Sequence, residues 1–307
     1  MGKEDIVTAY KTLLDIKPQE QNLPGKDTNM DPLAEFTKLE CWDESGKPYL
    51  KEYVGSGKLK GKTAIITGGD SGIGRSAAQM FVREGANVTI VYLEQEQEDA
   101  DRVKKAIEAD GGECLCLALD LMKEESVKKV VDEHIKKYGG LDILVNNASK
   151  QMMCDDIADI NLGDVESTFR SNILGMFALT KYAMPHLKRG ASIINSASVV
   201  AFKGSPSMMD YSSTKGAIVT FTRSLAMQLA PKGIRVNAVC PGPVYTPLQP
   251  ASRQAEQMDD WNIGALPLHG RVNMPAEMGP AYVFLACADS NAMTGQMMHL
   301  NNAQWIG

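Results

Sequence analysis

Positive charge, aromatic residues and paired cysteines are all scarce in this sequence, and each scarcity excludes something. Lysine and arginine number 32 against 38 aspartates and glutamates, leaving a net charge of −6. Such a balance offers no basic footprint for nucleic acid or for an anionic membrane surface. No apolar run approaches the ~20 residues that a membrane-spanning helix needs. The opening stretch MGKEDIVTAYKTLLDIKPQE is charged throughout and lacks the apolar centre of a signal peptide. Asp5-Ile6 stands where a myristoylation signal wants a Ser or Thr at its sixth position. Six cysteines, at 41, 114, 116, 154, 240 and 287, form no CxxC pair, and Cys114 and Cys116 point the same way in the strand-like ECLCLAL. They read as free thiols in a reducing compartment, so a soluble cytoplasmic protein is expected. The four histidines, at 134, 186, 269 and 299, show no metal-ligand spacing, and no metal site is expected. With an aromatic fraction of 6% inside a hydrophobic fraction of 44%, the core must be built mainly from aliphatic residues and methionine.

What is present is an alternation of short apolar strands with amphipathic helices. Residues 1–57 stand apart, with Pro18, Pro24, Pro32 and Pro48, many charges and one short helical pattern near 4–15. Leu33, Phe36, Leu39, Trp42 and Tyr49 make this segment too apolar for a free tail. It reads as an irregular arm packed on its own domain or on a neighbouring subunit, ending at Gly55-Ser-Gly57. Residues 58–307 read as one α/β domain. Strands are expected at 63–67, 87–92, 113–118, 141–145, 191–195, 234–239 and 296–300. Helices are expected at 75–83, 95–110, 123–138, 164–188, 211–230 and 275–287, with a long proline-bearing loop at 241–270 and a short helix within it at 252–260. Strands joined by helices of this length imply a doubly wound parallel sheet of about seven strands, covered on both faces.

In such a sheet ligands bind outside the carboxyl ends of the strands. Gly68-Gly-Asp-Ser-Gly72-Ile-Gly74 follows the first strand and opens a helix, the context that a phosphate-binding turn requires. Asp120, Asn146–Ser149, Ser196–Ser198 and Pro241–Thr246 end later strands and converge on the same edge. Tyr211 and Lys215, four residues apart at the start of a helix, share a face there. A phenol titrates near ~10, and a neighbouring ammonium would draw it towards neutrality, which makes the pair a proton-transfer device.

Taken together, Thr67–Gly74, Asp120, Asn146-Asn-Ala148, Ser171-Asn172, Ser198, Tyr211-x-x-x-Lys215 and Pro241-Gly242 resemble the short-chain dehydrogenase/reductase family from about residue 58 onward. The armed beginning and the run Lys203-Gly-Ser-Pro206 are most similar to its glucose/ribitol dehydrogenase-like branch. The resemblance implies a Rossmann-type fold and alcohol–carbonyl interconversion by hydride transfer. It implies Tyr211 as general acid or base, Lys215 as its electrostatic partner and ribose ligand, Ser198 as the group polarising the substrate oxygen, and Asn172 as the anchor of a relay water. For the dinucleotide it implies Gly68, Asp70, Ser71, Gly72, Ile73 and Gly74 at the pyrophosphate, and Asp120 and Leu121 at the adenine. Asn147, Ala148 and Ser149 with Asn146 would lie at the ribose, and Pro241, Gly242, Val244 and Thr246 at the nicotinamide.

The residues after the second strand, Tyr92, Leu93 and Glu94, would meet the adenosine ribose. Glu94 would repel a 2′-phosphate, and Arg75 is the nearby cation, so NAD is favoured with NADP as the alternative. Gln151, Met152, Met208, Met209 and Trp261 are candidates for the substrate wall, suiting either a sugar or aldehyde or a bulkier hydroxysteroid. The family likeness implies a homotetramer, assembled through the helices at 123–138 and 164–188 and the last helix and strand. A different class of reading, a non-catalytic dinucleotide sensor on the same fold, would be expected to have lost Tyr211 or Lys215. The tail His299-Leu-Asn-Asn-Ala-Gln-Trp-Ile-Gly307 departs from the Asn-Gly-Gly ending usual in the branch.

Overall fold

In the computed structural model, which describes residues 2–306, the strands are as follows in chain order. β1 (Lys38–Trp42) and β2 (Pro48–Glu52) pair as an antiparallel hairpin within the arm. β3 (Thr63–Thr67), β4 (Asn87–Tyr92), β5 (Cys114–Ala118), β6 (Leu141–Asn146), β7 (Leu187–Ser196), β8 (Arg235–Pro241) and β9 (Met297–Leu300) form a seven-stranded parallel sheet. Its order is β5-β4-β3-β6-β7-β8-β9, so the chain winds outward from β3 in both directions. Loops leaving β3 and β6 diverge to opposite faces and open a crevice between them.

The helices are α1 (Gly72–Arg83), α2 (Gln97–Ala109), α3 (Glu124–Tyr138), α4 (Leu162–Phe169), α5 (Gly175–Ala183), α6 (Val200–Lys203), α7 (Met209–Leu229) and α8 (Gly279–Ala286). Because side chains alternate along a strand, β3 feeds two cores. Ala64 and Ile66 join Phe81 of α1, Val103 and Ile107 of α2 and Tyr282 of α8. Ile65 points the other way, to Val127 and Val130 of α3, Leu179 of α5 and Ala226 of α7. Double coverage explains why all five residues of β3 are buried.

Two expectations need correction. The single helix expected at 164–188 is interrupted: α4 ends at Phe169, Arg170–Leu174 forms a π-helical turn, and a 3₁₀ turn at Met184–His186 holds Pro185. The π turn widens the helix where Asn172 reaches across to the loop after β6, a local rearrangement often found at functional sites. The arm is also more ordered than its prolines suggest. The helical spacing of Ile6, Tyr10, Leu13 and Ile16 produces isolated 3₁₀ turns, because these side chains are buried against Tyr245, Met258, Leu266, Val272 and Met274 rather than on one another.

Charge fastens the arm as well. Arg271 is completely buried and donates to Glu277 at 2.8 Å, to Glu40 of β1 at 2.9 Å and to Thr8 Oγ1 at 2.8 Å. Its guanidinium also lies 4.7 Å from the Tyr10 ring centre. Burial alone would push the Glu40 carboxyl up, but hydrogen bonds from Thr8 and Ala9 and the Arg271 charge outweigh it and hold it below its ordinary range. Removing one partner of such a buried network typically costs about 3–5 kcal/mol.

Further along, Asp27 reaches the N-terminus of α1. Its carboxylate accepts the Gly72 N–H at 3.2 Å and pairs with Arg75 at 3.5 Å, while its own N–H donates to Asp99 of α2 at 2.7 Å. Burial pushes the Asp27 carboxyl up to about 7, with Arg75 opposing and Asp99 and Asp70 reinforcing the rise. The folded state therefore holds this proton more tightly than the unfolded chain does. The resulting stabilisation is fully present below the unfolded pKa of about 4 and is lost as pH rises through about 7. Asp27→Asn keeps an oxygen for Gly72 and removes the titration. Thermal melting of the cofactor-free protein should show wild type falling behind Asp27→Asn between pH 4 and 8. Parallel melting curves across that range would contradict the assignment.

Candidate active site

The crevice begins at the turn between β3 and α1. Gly72 has φ +49°, and a Cβ there would stand 3.0 Å from Thr246 Cγ2. A Cβ on Gly74 would stand 1.8 Å from the Gly68 carbonyl oxygen, so only glycine lets α1 start this close to the turn. Asn147 braces the turn from β6, its Nδ2 donating to the Thr67 and Gly68 carbonyls at 3.1 and 3.2 Å. The Thr67 hydroxyl returns the contact, accepting the N–H groups of Asn147 and Ala148 at 2.8 and 2.9 Å.

A cleft of about 380 Å³ follows this edge. It runs from Leu93, Glu96, Asp120 and Leu121, past Gly68 and Asp70–Ile73, to Ser149, Lys150 and Thr246. Leu23, Pro24 and Gly25 of the arm form part of its wall. Lined by apolar and polar side chains together and rimmed by a helix N-terminus, the cleft suits an extended dinucleotide. Not every expected cofactor residue lines it. Gly74 packs inside the turn, Val244 is buried beside its bridge to Asn273, and Gly242 donates to the Leu300 carbonyl at 2.9 Å with Pro241 paired to Leu300. These four support the wall, while Thr246 reaches it.

At the adenosine end the acidic residue differs from the expected one. Glu94 is exposed because residues 94–96 form a 3₁₀ turn that carries it outward. Glu96 instead faces the cleft, accepting the Leu93 N–H at 2.8 Å. Tyr92 is buried and bonds Gln97 at 2.9 Å. Asp70 is 1% exposed, and neither of its carboxylate oxygens has a hydrogen-bond partner. Burial first, and then the neighbouring carboxylates, raise both Asp70 and Glu96. Arg75 is turned away, held by Asp27 and stacked 3.8 Å from the Phe36 ring centre.

The four residues expected to act together gather beyond Ser149 and do not themselves line the cleft, so Tyr211 and Lys215, also expected at the cofactor, stand behind its wall. Tyr211 lies in the first turn of α7 and is 8% exposed. Lys215, one turn on, places Nζ 5.2 Å from the Tyr211 ring centre and donates to the Ser196 carbonyl at 2.8 Å. Burial pushes the Lys215 ammonium down to about 7. Burial pushes the Tyr211 phenol up to about 12, opposed by the Ser198 hydroxyl, the Arg253 guanidinium and the Ser149 hydroxyl. Ser198 is the serine that faces Tyr211. Its neighbour Ser196 turns its hydroxyl to Asn147 and Tyr282, at 3.0 and 2.6 Å. Asn172, within the π turn, accepts the Lys150 N–H at 2.7 Å and spends both Nδ2 protons on the Lys150 carbonyl and Thr214 Oγ1, at 2.8 and 3.1 Å. The side chain thus clamps the loop after β6 to α7, leaving only its carbonyl oxygen with spare capacity.

Among the substrate candidates, Met208 packs with Tyr211, Val199 and Val200, whereas Gln151 is buried and donates to Ser252 at 2.7 Å. Met152 and Met209 are half-buried. Trp261 packs against the core that holds the arm and not around Tyr211, because its loop folds back onto Tyr10 and Leu13. Three residues near the site escaped the sequence reading. Trp305 of the tail packs in the Tyr211 cluster and stacks on Phe202 at 4.7 Å; a tryptophan in so short a tail was the available signal. Asp27 and Arg253 carried no local pattern that marks them.

The sequence matches the enoyl-(acyl carrier protein) reductase family over residues 68–302. It is 43% identical over 291 residues to the NADPH-dependent aldehyde reductase 1, chloroplastic, of Arabidopsis thaliana, covering 93% of this chain and 96% of that one. To the glucose and ribitol dehydrogenase of Daucus carota it is 41% identical over 290 residues, covering 92% and 95%. A short-chain dehydrogenase from Burkholderia cenocepacia J2315 in complex with NADP superposes with a TM-score of 0.74 at 29% identity, covering 80% of this chain and 98% of that one. The 3-ketoacyl-(acyl-carrier-protein) reductase of Brucella melitensis complexed with NADH gives 0.72 at 30% identity, covering 81% and 100%. With the glycine turn, the crevice and the Tyr211–Lys215 pair in one parallel sheet, the chain belongs to the short-chain dehydrogenase/reductase family of NAD(P)-dependent oxidoreductases.

Proposed function

We propose that the protein interconverts a carbonyl compound and its alcohol, with Tyr211 moving the proton. The carrying observation is the buried Tyr211 phenol beside Ser198, Lys215 and Ser149, the last of which lines the cleft. A nicotinamide dinucleotide, when bound, supplies or accepts the hydride. In the reducing direction the Ser198 hydroxyl donates a hydrogen bond to the carbonyl oxygen, and Tyr211 gives that oxygen its proton. In the oxidising direction Tyr211 takes the proton back. Lys215, lowered by burial to about 7 and anchored to the Ser196 carbonyl, stands 5.2 Å from the Tyr211 ring centre as a group that can carry a proton near neutrality. Asn172 positions the Lys150 loop and α7 relative to each other. Tyr211→Phe should lower kcat by about 10²–10⁴-fold with cofactor affinity unchanged by fluorescence titration. Turnover within tenfold of wild type would remove Tyr211 from the chemistry.

For the cofactor we favour NAD. Glu96 lines the cleft just after β4, and Arg75, the cation that could meet a 2′-phosphate, is already engaged by Asp27. Relatives whose names specify NADPH or NADP make the opposite preference the reading to beat. Kd for NADH should lie below Kd for NADPH, and Glu96→Gln should narrow the gap. A lower Kd for NADPH in wild type would reverse the assignment.

For the substrate, a sugar-type or short-chain aldehyde is favoured over a hydroxysteroid. Met208 and Trp305 supply an apolar wall, but Gln151, Ser252 and Arg253 make the facing side polar. A homotetramer is proposed from the exposed Leu174 and Phe177 at α5 and Met227 on α7, which are 53%, 51% and 73% exposed. Light scattering should give four chains, with Phe177→Asp shifting the population to smaller species. A monomeric wild type would exclude this assembly.

A further inference from the structure

Arg253 is the one cation beside Tyr211 to which no role has been given. Burial lowers its guanidinium to about 10, opposed by the neighbouring Tyr211 phenol. It sits 5.2 Å from the Trp261 ring centre. Nη1 is held by the side-chain and main-chain oxygens of Gln249 and lies 3.5 Å from Ser252 Oγ. Nη2 meets only the thioether of Met208, at 3.9 Å, and neither Nη2 nor Nε donates to an oxygen. One edge of the fork is therefore fixed by the loop, and the other faces the residue that covers Tyr211. Arg253 is half-buried, and with Nη2 on a sulfur and Nε bonded to no oxygen, this edge of the guanidinium is open to a stronger acceptor. Methionine is the side chain most easily displaced by a ligand, since it is unbranched and adaptable.

We propose that Arg253 is a specificity-determining residue that receives an oxyanion of the substrate, a carboxylate or a phosphate ester, carried on the chain that bears the reacting carbonyl. The proposal rests on the acid–base role given above to Tyr211. The free edge of the fork binds two oxygens at once, which neither Met208 nor a hydroxyl can do. Gln151 and Ser252, bonded at 2.7 Å, flank the arginine and keep its loop against the loop after β6. Substrates are thereby sorted by charge as well as by the carbonyl they share.

The test compares matched substrates: succinic semialdehyde with butanal for the carboxylate, and glyceraldehyde 3-phosphate with glyceraldehyde for the phosphate. In wild type, kcat/KM should favour the anionic member of at least one pair by about 10- to 100-fold, the worth of a charged hydrogen-bonded pair. Arg253→Met should collapse that ratio, and Arg253→Lys should restore part of it. The pair that shows the preference identifies the oxyanion. Glutarate and inorganic phosphate are titrated calorimetrically into the protein–NADH complex in parallel, and Arg253→Met should weaken the anion that binds wild type by at least tenfold. Preference for the neutral members, or a ratio and anion affinity that Arg253→Met leaves unchanged, would overturn the proposal. Anion binding that depends on Arg253 while no carbonyl is turned over would count against the acid–base role of Tyr211 instead.

Discussion

The chemistry of this protein depends on taking Lys215 out of water without giving it a carboxylate. A buried ammonium paired with an acid stays charged and inert, whereas one held only by a carbonyl loses much of its preference for the proton. Lys215 is of the second kind, bonded to the Ser196 carbonyl and lowered to about 7. The same burial raises Tyr211 to about 12, so desolvation alone drives the two groups towards a neutral pair. Ser198, Arg253 and Ser149 act against the rise of the phenol, whereas Lys215, expected to lower it, is not among the groups that do so. The sequence motif supplies spacing; burial supplies the energetics.

That burial is a product of topology. β7 ends at Ser196, next to α7, and β6 delivers Asn147–Lys150 alongside it. Asn172 can join the Lys150 loop to α7 because a π turn displaces it from the regular helical track. At the other side of the crevice the arm closes the packing. A Cβ on Gly25 would stand 2.3 Å from the Pro247 carbonyl oxygen, Gln21 donates to the Pro250 carbonyl at 3.0 Å, and Asp27 reaches the start of α1. One extended segment thus touches both the turn after β3 and the loop after β8.

Much of this was legible beforehand, and the reasons are local. Strand 63–67, the glycine turn and Tyr211-x-x-x-Lys215 are contiguous patterns whose period or spacing states their geometry. Failures came where a residue acts through contacts remote in sequence. Glu94 was read for Glu96 because a single 3₁₀ turn decides which side chain faces inward. The arm's hairpin was missed because Lys38–Trp42 and Pro48–Glu52 lack clean alternation, one being half-buried and the other largely exposed. Trp261, read as substrate wall on type alone, packs on the arm core and reaches the Tyr211 side only through Arg253, 5.2 Å from its ring centre.

Buried cations separate structural from functional ones once their partners are counted. Arg271 meets two carboxylates, and its charge is used up in holding the arm. Arg235 meets none, yet it donates to the carbonyls of Leu285, Ala286 and Cys287 and to Ser290, which closes the end of α8. Lys215 has one carbonyl, and Arg253 has an amide side chain, a carbonyl and a sulfur. Arg271, Lys215 and Arg235 are buried and Arg253 is half-buried, so burial alone does not separate the structural pair from the other two. The number and kind of partners differ, and a cation with few strong acceptors retains interaction energy for a proton or a ligand. Lys215 and Arg253 have in common that neither meets a carboxylate and that both neighbour Tyr211, where charge in a bound molecule is felt strongly.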